Sequence, residues 1–330
     1  MRLAREETAW RFPSPPCKRL RRHPDKPPPT MTALDDLLTL RDLLRYAVSR
    51  FNAAGLSFGH GTTNALDEAA FLLLEALKLP VDDINPWLDA RLTRSERARL
   101  LDLIEARITT RKPAPYLVGR AYIHGLGFRV DERVIVPRSY IGELLMRGVL
   151  EAEGLGLVPE PEAVDRVLDL CTGSACLAII AAGRFPNAEV DAVELSPDAL
   201  DVARLNVADY DLDDRVHLFQ GDLFVPLDGQ RYDLIIANPP YVTAEEVAAF
   251  PPEYASEPQM AHIAGNDGLD LVHRILAQAR NHLNPGGGLL CEVGTGREAL
   301  EAAYDLPFTW LDTEESEAEV FWIGETDLPG

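Results

Sequence analysis

Regular patterning begins near residue 33, where Leu34, Leu37, Leu38, Leu40, Leu43, Leu44, Ala47 and Val48 recur at the interval of a helix with one buried face. A second stripe of the same period runs through Ala69, Ala70, Leu72, Leu73, Ala76 and Leu77. Thr93-Arg94-Ser95-Glu96 has the form of a capping box, in which a hydroxyl and a carboxylate satisfy the first free amides of a helix. It opens a third stripe through Leu100, Leu101, Leu103, Ile104 and Ile108. Residues 31–112 therefore read as a helical domain. From about 115 to 136 the pattern alternates, with Gly125 and Gly127 as punctuation, which predicts a β-hairpin. Residues 113–155 are read as this connector and a linking helix.

Beyond residue 155 short apolar runs alternate with helical stretches. Strands are predicted at 166–170, 190–193, 216–221, 232–237, 289–293, 308–311 and 320–323, the last two close enough to pair antiparallel. The expected fold is an α/β, Rossmann-like domain over 156–325, with a mostly parallel seven-stranded sheet and a reversed edge strand. Between Tyr241 and this domain's next helix, residues 243–268 form an irregular stretch too long for a simple connection, and a substrate-gripping lid is expected there.

The chemistry sits at the ends of these strands. Arg166-Val167-Leu168-Asp169-Leu170 runs into the small-residue loop Cys171-Thr172-Gly173-Ser174-Ala175-Cys176 and then an apolar helix start, the first unit of a nucleotide-binding domain. Asp169, Thr172, Gly173 and Ser174 are the candidate cofactor residues of this unit. The strand at 190–193 ends in Glu194, whose carboxylate can accept both hydroxyls of a ribose, and the strand at 216–221 ends in Asp222, placed to meet an adenine amino group. The loop carries only Gly173 where a dinucleotide site has three glycines. A pyrophosphate is disfavoured, and S-adenosylmethionine, an adenosine without phosphates, fits better.

The most specific signal is Asn238-Pro239-Pro240-Tyr241 at the end of the run Tyr232-Asp233-Leu234-Ile235-Ile236-Ala237. An amide or exocyclic amine nitrogen is a poor nucleophile because its lone pair is delocalised. Pro239 lacks an N–H and has a fixed φ, and Pro240 biases it toward an extended geometry that turns its carbonyl outward. With the Asn238 side-chain oxygen, two acceptors can grip both N–H bonds of one NH2 group while Tyr241 supplies a flat wall. Asn238, Pro239 and Tyr241 are the candidate catalytic residues, and Asn238 also borders the cofactor.

Residues 31 to about 325 resemble the glutamine-N(5) protein methyltransferase family, whose members modify peptide release factors or the large-subunit ribosomal protein L3. The resemblance rests on Arg111-Lys112-Pro113, Tyr116-Leu117, Gly119, Val136-Pro137-Arg138, the cofactor loop, the Asn-Pro-Pro-Tyr motif and Glu257-Pro258 with Gly265-Asn266-Asp267-Gly268-Leu269. Arg138-Ser139-Tyr140-Ile141-Gly142-Glu143-Leu144, Cys171, and the stretches Tyr46 to Phe51 and Gly59 to Thr62 are closer to the ribosomal-protein branch. The resemblance implies a class I methyltransferase using S-adenosyl-L-methionine, with the helical domain recognising the protein substrate. Two positions depart from the family pattern: Ala175 replaces a usual glycine, and Ile123 stands where an aromatic is common beside the methyl group.

Composition then narrows the partners. The 330-residue chain has a formal net charge of -21, which argues against gripping nucleic-acid backbones and suits a basic ribosomal protein, free or within an assembling large subunit. Residues 1–30 differ: eight Lys or Arg against three acids, and seven prolines, predict a disordered basic extension, either an arm for ribosomal RNA or a translated stretch ahead of a start at Met31. The four cysteines (17, 171, 176 and 291) have neither metal-ligand nor disulfide spacing, no metal site is expected, and no apolar run is long enough to cross a bilayer. The cytoplasm is expected. Adenine N6 methylation of DNA or RNA remains the rival enzymatic reading, since its Asn/Asp-Pro-Pro-aromatic grip is closely similar, and a non-catalytic module that senses S-adenosylmethionine or scaffolds ribosome assembly is the third.

Overall fold

The computed structural model describes residues 30–151, 154–265, 267–313 and 319–329. The basic extension up to residue 29, Cys17 and Asn266 lie outside the described residues. The first apolar stripe folds as two helices, α1 (Thr30–Asp36) and α2 (Leu40–Ala54), because Thr39 turns extended between them and caps α2 in a capping box with Asp42. α3 (Ala65–Leu77) is capped by Asn64, and α4 (Arg94–Thr110) starts at Thr93 through the predicted box with Glu96. Leu43, Ala47, Phe51, Ala69, Leu72, Leu73, Leu100 and Ile104 from these helices form one fully buried core.

A short helix, α5 (Ala114–Val118), precedes the hairpin of β1 (Arg120–Ile123) and β2 (Leu126–Arg129), whose two-residue turn His124-Gly125 has φ of 46° and 82°. α6 (Tyr140–Arg147), capped by Ser139, links to the sheet. The remaining elements alternate as β3 (Arg166–Leu170), α7 (Cys176–Arg184), β4 (Glu189–Glu194), α8 (Pro197–Asp209), β5 (Val216–Gln220), β6 (Tyr232–Ala237), α9 (Ala244–Ala248), α10 (Asp270–Ala279), β7 (Leu283–Glu292), α11 (Arg297–Ala303), β8 (Thr309–Leu311) and β9 (Val320–Gly324).

The seven strands lie in the order β5-β4-β3-β6-β7-β9-β8. The strand direction corrects one expectation: the reversed strand is β9, which sits inside the sheet and runs antiparallel to both β7 and β8, so that β8 is the edge. Pairing β9 on both sides satisfies its backbone and leaves only a three-residue strand exposed at that edge. Successive strand residues serve opposite cores: Val167, Leu234 and Ile236 pack against α6 and α7, while Leu168, Ile235 and Ala237 pack against α10 and α11. Residues on both faces are apolar, as expected of a parallel sheet covered on both sides.

The helices at the start of the chain are bolted to the sheet domain by buried ion pairs. Arg107, fully buried on α4, donates to Glu68 (2.5 Å) and lies 3.6 Å from Glu253, which also takes Arg111 (3.0 Å) and the Ser57 amide (3.0 Å). Glu257, equally buried, accepts both prongs of Arg138 (2.9 and 2.8 Å) and the Val136 amide, and lies 3.0 Å from His262. These partners hold the Glu257 carboxyl well below the usual range despite its burial. Through Glu253 and Glu257 the irregular stretch of residues 243–268 also joins the two parts of the chain.

Candidate active site

A cleft of about 750 Å³ opens over the C-terminal ends of β3, β4, β5 and β6, the end of a parallel sheet where crossover loops leave a crevice. Gly173, Glu194, Asp222 and Asn238 line it. The Glu194 oxygens accept the Gly173 amide (2.9 Å) and the Ser196 amide (2.8 Å), which fixes the carboxylate while leaving each oxygen a further lone pair. One oxygen of Asp222 is held by Arg274 at 2.7 Å. Leu195, Leu223, Met260 and Leu271 give the cleft apolar walls, with Leu195 and Met260 about half exposed at its mouth. Pro258, Met260 and Ala261 come from the joint described above, so that stretch borders this cleft.

Three predicted cofactor residues lie beneath the cleft and do not line it. Asp169 is buried with Oδ2 accepting from the Thr172 hydroxyl and the Ala178 amide (3.1 Å), which ties the loop to the start of α7. Burial without a cationic partner pushes its carboxyl up to about 7. Thr172 and Ser174 are buried as well, and the Ser174 carbonyl receives Asn206, whose fully buried amide also grips the Arg129 backbone and so ties the hairpin to the loop. Ala175 caps α7 at φ 63°, a left-handed conformation that accounts for the glycine usual there. Arg133 to Ile135, in the segment after the hairpin, line the cleft.

The Asn238–Tyr241 turn divides this cleft from a second cavity. Asn238 Nδ2 donates to the Arg138 carbonyl at 3.4 Å, which leaves Oδ1 as the acceptor toward the cleft. Pro240 lines the cleft, Tyr241 lines the second cavity, and Pro239 is buried and borders neither. Tyr241 is clamped from three sides. Its hydroxyl donates to Glu292 (3.2 Å); a Cβ on Gly294 would stand 2.6 Å from its ring, and one on Gly268 2.5 Å from its carbonyl oxygen. Both glycines have positive φ, so those positions exclude other residues twice over.

The second cavity reveals residues the sequence reading passed over. Glu292, at the C-terminal end of β7, accepts Ser139 Oγ (2.6 Å), the Tyr140 amide (3.0 Å) and Tyr241, and burial raises its carboxyl to about 7. The rule that singled out Glu194 and Asp222, an acid ending a strand, also applies to Glu292. Arg138 appeared only as part of a motif, yet it holds both Glu257 and Asn238. Ile123 lines this second cavity.

The sequence profile of the methyltransferase small domain matches residues 156–250. The chain is 59% identical over 89% of its length to the ribosomal protein uL3 glutamine methyltransferase of Bradyrhizobium diazoefficiens, covering 92% of that protein. The enzymes of the same name from Burkholderia pseudomallei and Bordetella pertussis are each 52% identical, over 88% and 89% of this chain and 96% and 97% of their own. This chain belongs to that methyltransferase family. Its cofactor is S-adenosyl-L-methionine, and the cleft fits it. Glu194 can take two hydroxyls, the half-exposed Leu195 and Met260 can cover a ring, and the arginine lining the cleft, Arg133, is engaged by Asp131 (2.7 Å) and not left for phosphate. The second cavity lies on the other side of the Asn238–Tyr241 turn from this cleft. Among the described residues, no helix is long and apolar enough to cross a membrane.

Proposed function

We propose that this enzyme methylates the side-chain amide nitrogen of a glutamine in ribosomal protein uL3, in the cytoplasm, with the helices of residues 31–112 recognising the protein and the sheet domain of residues 156–325 performing the transfer. The observation that carries the reading is the wall position of Asn238-Pro239-Pro240-Tyr241. It touches the cofactor cleft through Asn238 and the second cavity through Tyr241.

S-adenosylmethionine, when bound, supplies an electrophilic methyl group on a positively charged sulfur. Glu194 and Asp222 hold the nucleoside end, and the Gly173 turn lets the backbone approach it. Asn238 Oδ1 accepts one N–H of the glutamine amide, which aims the nitrogen lone pair at the methyl carbon and stabilises charge developing on nitrogen; Pro239, whose carbonyl the sequence reading made the second acceptor, borders neither cavity and is left to fix the turn that presents Asn238. The Arg138 carbonyl keeps the Asn238 amide from rotating. Tyr241, fixed by Glu292, flattens the pocket around the planar amide. With the cofactor bound, its methyl group would pass to this nitrogen and the carbon–sulfur electron pair would leave with sulfur. The resulting cationic amide is so acidic that its extra proton leaves to water without a strong base.

The test is methyl transfer from labelled cofactor to purified uL3, a release factor and DNA in parallel, with mass mapping of the product. Label on a uL3 glutamine is expected. Label on the release factor alone would keep the chemistry and change the substrate, and label on adenine would overturn the substrate class.

A further inference from the structure

We propose that the second cavity is the inner end of a longer groove that holds an extended, basic segment of the substrate on one side of the reacting glutamine; this rests on the methyl-transfer reading above. The cavity beside Tyr241 and Glu292 shares Gly61, Thr62, Thr63 and Tyr122 with a further hollow between α3 and the hairpin. That hollow is lined by His60, Asp67, Phe71, Asp82 and Asp83 among others. The two form one trough that leads from the Asn-Pro-Pro-Tyr turn to the face of the amino-terminal helices.

The charge of the trough is one-sided. Asp67, Asp82 and Asp83 stand at its outer end; at its inner end lie Glu319, Glu143, which pairs with Arg147 (2.7 Å), and Glu292, whose carboxyl is raised by burial. Among the described residues lining it there is no lysine, and its one arginine, Arg138, is bound by Glu257. Phe71 and Tyr122 meet edge to face in the floor (centroids 6.2 Å apart), a surface suited to the aliphatic stems of lysine or arginine. A separate observation points to an occupant. His60 is 1% exposed and lines the trough, yet neither ring nitrogen has a hydrogen-bond partner; Nε2 lies 3.7 Å from Glu257 and Nδ1 has nothing. A buried polar atom left unpaired is costly, and a small turn of the ring toward the trough would let the main chain of a bound segment supply the missing partner. An extended chain with cations beside the glutamine suits the outer aspartates and the aromatic floor together.

The experiment compares three peptides that differ only in the residues flanking one glutamine: Lys/Arg, Ala/Ser, or Glu. Each is assayed with the full-length enzyme alongside intact uL3. The wild type should favour the Lys/Arg peptide over the Ala/Ser peptide in kcat/KM, with a preference that shrinks as salt is raised. Asp67→Asn/Asp82→Asn/Asp83→Asn keeps each side-chain acceptor while removing the charge, and should lower that preference about tenfold. Asp82→Lys/Asp83→Lys should shift it toward the Glu peptide. An unchanged preference in both variants, with melting temperature and cofactor affinity intact, overturns the groove and leaves the transferase reading standing. Failure of the wild type to methylate uL3 or any peptide while it binds the cofactor overturns both.

Discussion

The two sides of the Asn238–Tyr241 turn are built on different principles. The cofactor cleft is assembled mainly from strand ends and the loops after them, so most of its shape follows from a repeated local unit: an apolar run, a tight turn, a helix start. The groove is assembled from residues as far apart in the chain as Gly59 and Glu319, and it is held in place by buried charges. The difference teaches that the cofactor part of a group-transfer enzyme can be set by local geometry, while the proposed acceptor groove depends on long-range ion pairs. Failure of those pairs would strike acceptor handling first.

The strongest way to break this contrast is to remove a bolt on the groove side. Arg138→Leu strips the Glu257 carboxylate of its bidentate partner, and the protein should lose about 3 kcal/mol of stability in urea unfolding. Turnover should fall as well, because the carbonyl that holds Asn238 belongs to the same residue. Stability within a few tenths of the wild type would show that the joint is dispensable. On the shared wall, Asn238→Ala should lower kcat on the order of 100-fold, equivalent to about 2.7 kcal/mol, with cofactor affinity far less affected. A variant with near-normal kcat would remove Asn238 from the mechanism. On the cleft side, Glu194→Gln should weaken cofactor binding about tenfold by calorimetry while leaving peptide KM unaltered, since it replaces charge-assisted hydrogen bonds with neutral ones.

A dependence on pH touches both sides of the turn. Asp169, under the cleft, and Glu292, beside the groove, both have carboxyls raised to about 7 from ordinary values of 3.8 and 4.5. The folded chain therefore holds these protons more tightly than the unfolded one. Their contribution to stability is complete below about pH 4 and is lost as pH climbs to about 7. Unfolding free energies measured from pH 5 to 7.5 should show this decline, and Asp169→Asn and Glu292→Gln should each flatten it. Parallel slopes in wild type and both variants would exclude these two groups.

The sheet was legible because its strands are continuous apolar runs and its chemistry falls on residues at their ends. The helical stripes were legible for the same reason, apart from the break at Thr39, which a single leucine-rich stripe conceals because its capping bond to Asp42 looks like ordinary helix surface. Asp169, Thr172 and Ser174 lie buried beneath the cleft and do not line it. Sequence places them in the loop, but whether a polar group faces the ligand or ties the loop down depends on side-chain direction. Glu257 and Arg107 were illegible as bolts, because an acid and an arginine some hundred residues apart carry no sign of meeting. The reversed strand β9 was misplaced by one position because antiparallel pairing with β8 does not say which of the pair reaches β7.

Glu253 gives the chain a hereditary constraint. Its buried carboxylate belongs to the catalytic half, but its cations, Arg107 and Arg111, and the Ser57 amide all come from the amino-terminal helices. A gene fusion that grafts foreign recognition helices onto this catalytic half would therefore strand a charge in the seam unless it brought two arginines at the same places. Lineages that exchange substrates by recombination would have to move the lock and the key as a pair, whereas point changes on the open face of the helices remain free to drift.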